Sequence, residues 1–118
     1  MALSKTKFED AFKYESIQET ACDETAIVNT TSGPGSIYAI HFVNSNNAAS
    51  LKLFDAESVT MSTTVADMVF KIPATSTTMI EIPDGLPYPY LSFAVTANSN
   101  PQDNTAPAAG VSVRFLVG

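Results

Sequence analysis

From Thr25 onward, apolar and polar residues alternate in short runs closed by turn residues, the pattern of antiparallel strands with one buried face each. The pattern predicts a first strand in "TAIVNTT". After the "SGPG" turn it predicts a central strand in "SIYAIHFVN", with Ile37, Ala39, His41 and Val43 on one side and Tyr38, Ile40 and Phe42 on the other. Asparagine tolerates left-handed backbone and caps its own turn, so "NSNNAA" predicts a tight connection into "SLKLFDAES", where Leu51 and Leu53 turn inward and Lys52 outward. The polar "SVTMSTT" run reads as a loop. "DMVFKIPAT" buries Met68, Phe70 and Ile72 and stops at Pro73; "TTMIEIPDG" buries Ile80 and Ile82 and stops at Pro83, since proline cannot donate to a ladder. "LSFAVTANS" buries Leu91, Phe93 and Val95. After the loop "NPQDNTAPAAG", the closing "VSVRFLVG" buries Val111, Val113, Phe115 and Val117 and exposes Arg114.

The first 24 residues differ, holding nine of the chain's 18 charged residues. Phe8 and Phe12 stand four apart with Ser4 upstream as a cap, which permits a short amphipathic helix, but Tyr14 and Ile17 do not extend that face. The chain therefore divides into an N-terminal arm, residues 1–24, and a β-sandwich domain, residues 25–118. The arm either reaches a neighbouring subunit or lies as a strand on the sandwich edge. Seven or eight strands spaced at about a dozen residues predict an all-β, antiparallel sandwich of jelly-roll or immunoglobulin-like type, with a closed barrel as the alternative.

Composition narrows the function classes. A single domain of 118 residues is large enough for one core. Charged residues make up only 15% of the chain, below the roughly 25% of typical soluble domains, while 25 Ser and Thr outnumber the charges and are expected to supply the wet surface. A net charge of −6 opposes binding to a phosphate backbone, so no nucleic-acid partner is expected. No run approaches the roughly 20 apolar residues of a membrane span, and the N-terminus has no apolar export segment, so no membrane partner is expected and synthesis is placed in a cytoplasm. The single Cys22 cannot form an internal disulfide and reads as a small buried hydrophobe.

Candidate chemistry is sparse. His41 is the only histidine, inside the most hydrophobic run, and reads as structural; with one cysteine 19 residues away it forms no zinc set. Asp55 with Glu57, and Glu81 with Asp84, are carboxylate pairs that strand edges and turns explain; Asp84, Asp103 and Asn104 are loop residues of the kind that bind calcium, without the matching spacing. No catalytic residue, metal or cofactor is assigned, and the chain is read as non-enzymatic. "PDGLPYPY" admits two readings: a stiff prolyl crossover between strands, or a rigid platform presenting Tyr88 and Tyr90 to a partner. The candidate interface residues are thus Phe8, Phe12, Tyr14, Tyr88 and Tyr90.

The succession "GPGSIYAIHFVNSNNAASLKLFDAESVT", "VFKIPATSTTMIEIPDGLPY" and "LSFAVT" resembles a recurrent small protein of tailed bacteriophages, found among virion structural genes. In that group a glycine turn leads to an I-Y-x-I strand and an asparagine turn. An L-K-L-[YF]-D-A strand, an I-x-[IL]-P-x-G-[LI]-P-[YF] motif and an L-S-x-A-V-T strand follow. The likeness spans Gly33 to Thr96 and leaves out the arm and the last strand. It implies a head decoration or cement protein on the capsid surface, binding the major capsid protein lattice, with a homotrimer favoured. The alternative is a tail or fibre module that binds a carbohydrate or host receptor through Tyr88 and Tyr90.

Overall fold

A computed structural model describes residues 3–7 and 14–118. Eight strands are found there: β1 (Leu3–Lys7), β2 (Glu15–Glu19), β3 (Gly35–Asn44), β4 (Ala49–Phe54), β5 (Met68–Ile72), β6 (Ser76–Tyr88), β7 (Ser92–Thr96) and β8 (Val111–Val117). They form two antiparallel sheets, a larger one in the order β1-β2-β8-β3-β6 and a smaller one in the order β5-β4-β7. No helix occurs among the described residues, and so none long and apolar enough to cross a membrane.

The pairings are nested. β4 pairs with β5, β3 with β6, and β2 with β8. Between the last two levels, residues 23–30 run along β7: Ile27 and Phe93 exchange backbone hydrogen bonds of 2.9 Å, Thr30 N–H donates to Leu91, and Val95 N–H to Asp23. The predicted "TAIVNTT" strand is thus present only as an irregular flank of the smaller sheet.

One core lies between the sheets. Val111, Val113, Phe115 and Val117 of β8 are buried as their alternation predicts, while Arg114 faces out. They meet Leu51, Phe93 and Val95 of the smaller sheet, with Phe93 edge-on to Phe115 at 4.9 Å and Phe42 tilted against Phe70 at 6.4 Å. Fully burying each such side chain contributes about 2 kcal/mol.

The larger sheet departs from the simple alternation in one place. β3 pairs Ile37 with Leu86 but Ala39 with Glu81, so Ile82–Gly85 bulge around the single residue Tyr38. The bulge puts Ile37 in the core with Ile40 and Phe42, and leaves Ala39, His41 and Val43 on the outer face. Gly85 sits there with φ +80°, where a Cβ would come within 3.0 Å of the Tyr38 ring. The bulge also corrects the expected stop at Pro83, because β6 continues to Tyr88. It can do so as an edge strand, where β3 is its only partner among the described residues and a missing N–H breaks no second ladder there.

The division at residue 24 does not match the sheet. β1 and β2 extend the larger sheet beside β8, and Ile17 lies in the common core with no exposure. Within the described part of residues 1–24, β1 and β2 thus lie as strands at the edge of the larger sheet.

The smaller sheet is covered on both sides. Its inner face meets the core; its back carries Phe54 and Ala94 beneath Val59, Met61 and Ala66 of the β4–β5 loop. The expected outward Lys52 is instead fully buried: its ammonium donates to the backbone carbonyls of Asn100 and of Asp103, the latter at 2.8 Å. Burial lowers the Lys52 pKa from the ordinary 10.5, and the Asp103 carboxylate pushes back. Several hydroxyls expected at the surface are buried there too. Ser92 donates to Ala56 carbonyl at 2.6 Å, Thr96 to Asn98 at 2.8 Å and Thr30 to Leu91 at 3.0 Å. The loops lock together where Ala66 N–H meets Pro101 carbonyl and the Gln102 amide meets Thr63 carbonyl.

Candidate functional site

The five candidate interface residues do not gather in one place. Phe8 and Phe12 lie outside the described residues. Tyr14 is exposed and stacks edge-on against Tyr38, ring centres 5.4 Å apart, at one margin of the larger sheet's outer face. Tyr88 is a core residue at 8% exposure, as the crossover reading of the prolyl stretch has it and the platform reading does not. Its place is made by Gly35, where a Cβ would sit 2.7 Å from the phenol oxygen. Burial raises the Tyr88 pKa, with the Thr31 side chain opposing and Glu15 adding to the rise. Tyr90 alone of the prolyl pair remains half-exposed.

Two concave regions stand out. The first is a shallow depression of about 530 Å³ on the outer face of the larger sheet, lined by Tyr38, His41, Met79, Glu81, Arg114 and Leu116 among others. β3 places His41 between Arg114 of β8 and Met79 of β6, and Ala39 between Leu116 and Glu81. The register thereby sets apolar groups between one cation and one anion. Met79 is 57% exposed, and Arg114 donates a 3.3 Å bond to Gln18. His41 is therefore a surface-facing residue of this depression, not a core histidine.

The second is a cleft of about 110 Å³ at one end of the two sheets, where the chain crosses from β6 to β7. Ile37, Leu53, Phe54, Leu86 and Leu91 form its walls, and Asp55, Asp67 and Tyr90 also line it. The Asp67 carboxylate accepts the Asp55 backbone N–H at 2.7 Å, and Tyr90 N–H approaches the Asp55 carboxylate at 3.5 Å. Sequence reasoning paired Asp55 with Glu57 and missed Asp67, since only the β4–β5 pairing brings residues 55 and 67 together.

No group of three or more His, Cys, Asp or Glu that could hold a metal occurs among the described residues. Cys22 is buried beside Glu19, and burial first, then that carboxylate, push its thiol up to about 12, far from nucleophilic use. Asp103, the loop residue considered for calcium, spends its carboxylate on Thr105 (2.7 Å from the hydroxyl) and Asn98, and those bonds hold its pKa below the ordinary 3.8.

The chain matches no protein-family model, no curated protein and no solved structure.

Proposed function

We propose that the protein is a non-enzymatic virion structural component of a tailed bacteriophage, a capsid decoration or cement protein on the head surface. The carrying observation is the resemblance spanning Gly33 to Thr96. The nested pairings support it. With β1 set aside as an added edge strand and residues 23–30 counted as a strand, first (β2) pairs with last (β8), second with seventh, third with sixth and fourth with fifth, which is a hairpin rolled into two sheets. We read this as a β-sandwich of jelly-roll type rather than immunoglobulin type, an architecture recurrent in viral capsid and lectin domains. Fold likeness alone does not fix a function. The outer face of the larger sheet, with Met79, Val43 and Tyr14 exposed, offers the apolar surface that a subunit covered by copies of itself or by a lattice requires.

Such a protein stabilises a head by burying surface across subunit junctions, and a trimer gains avidity when its copies engage together. Co-sedimentation of the intact protein with emptied phage heads tests the reading. Saturable binding that stabilises the heads to heat is the expected result, and the absence of binding sinks it. The sugar-binding alternative is weakened because burial of Tyr88 leaves Tyr90 without its stacking partner.

A further inference from the structure

We infer that the end cleft is a docking slot for a lysine side chain presented by a partner polypeptide. Its volume of about 110 Å³ is a little under four times the roughly 30 Å³ that a water occupies in the liquid, the size of lysine's four-carbon stem. The walls are aliphatic and aromatic, so a buried stem gains apolar contact and loses no hydrogen bond. What distinguishes the slot from a plain apolar gap is its charge. Asp55 and Asp67 are both exposed and line it, and neither forms an ion pair among the described residues, where the one pair, Lys5 with Glu15, lies elsewhere.

The carboxylates are also held in place. Asp67 caps the Asp55 backbone with one oxygen and Asp55 meets the Tyr90 N–H with one of its own, while the other oxygen of each carboxylate carries no described hydrogen bond and can receive an ammonium. Tyr90, between Pro89 and the start of β7, also lines the slot, and an aromatic ring attracts a cation over its face. A carboxylate ligand would be repelled, and a sugar would find few partners for its hydroxyls inside the slot. A metal ion would find only two carboxylates. The whole-chain charge of −6 adds a long-range pull on basic partners that salt should screen. The inference does not depend on the virion reading.

Amide NMR titration tests it, with n-butylammonium, n-butanol and butyrate as probes. The expected result is saturable shifts at Leu86, Tyr90 and Leu91 with n-butylammonium, at least threefold weaker affinity for n-butanol, and none for butyrate. The peptide acetyl-Gly-Lys-Gly-amide should bind at the same residues, and its Nε-acetylated form should not. Asp55→Asn and Asp67→Asn each keep one oxygen acceptor while removing the charge, and each should weaken n-butylammonium at least threefold. If Asp67→Asn fails to fold, Asp55→Asn alone decides. Equal binding of n-butanol and n-butylammonium, shifts away from the slot, or unaltered affinity in Asp55→Asn would overturn the inference. Binding of n-butylammonium without the lysine peptide would overturn it in favour of a free amine.

Discussion

The two sheets bury their strands by different rules. In the larger sheet β8 alternates strictly between core and surface, and its polar side chains reach water. In the smaller sheet every residue of β4 and β7 is buried, including Ser50, Lys52, Ser92 and Thr96. The difference comes from two long loops that close over the back of the smaller sheet and answer its polar groups with carbonyls. A polar residue on a strand therefore marks the solvent face only where nothing folds back over it. Where a loop does, the same residue becomes the peg that fastens the loop.

Removing β8 should have the largest effect, because it lies between β2 and β3 and supplies four core side chains. A chain ending at Gly110 is expected to show no cooperative thermal transition by circular dichroism. Next, Phe115→Ala, at the interface of both sheets, should cost about 3–5 kcal/mol in urea unfolding. Phe54→Ala, beneath a loop that can settle into the gap, should cost less, toward about 2 kcal/mol. Equal costs would mean that the loop cover is as rigid as the sheet.

Lys52→Met should cost about 2 kcal/mol, since the carbonyls of Asn100 and Asp103 lose their charged donor. Hydrogen exchange should quicken in residues 98–103 before it does in β8. The sign of its pH dependence follows from the lowered pKa. Between the folded value and 10.5 the unfolded chain binds more protons, so native stability gains as pH rises through that window, and the Met variant should lack the gain. Asp103 should have the smallest effect. Its folded pKa is depressed, so its contribution is present above 3.8 and is lost as pH falls through the lower folded value. Stability differences between the native chain and Asp103→Asn should therefore fade in strong acid.

The strands of the larger sheet were legible because one solvated face writes a period of two into β8 and the inward half of β6. The Asn44 turn was legible as well: its buried amide caps Asn47 and Pro73 carbonyls and accepts the Asn46 N–H. The back of the smaller sheet was not. "SLKLF" reads as alternating with a lysine out, and only the distant carbonyls of Asn100 and Asp103 turn that lysine inward. Pro83 suggested a stop because its edge position, set by topology, was not written locally. Tyr38 reversed the facing of its neighbours through a bulge whose extra residues lie on another strand. Of the two cleft carboxylates only Asp55 drew attention, and Tyr88 lost its surface role to a pocket created by the absent side chain of Gly35.

The nested pairing also sets an order for folding in time. Leu53 meets Met68 across a short loop, Asn44 meets Ser76 across a longer one, and Glu15 meets Val117 across nearly the whole chain. Each doubling of the loop to be closed costs about 0.6 kcal/mol more unless inner pairs have already shortened it. The cheapest route is a zipper that starts at β4 and β5 and works outward. Its rate should be slow, as for other chains dominated by distant contacts. Mutations in β4 and β5 should then slow folding, while mutations in β2 should mainly hasten unfolding.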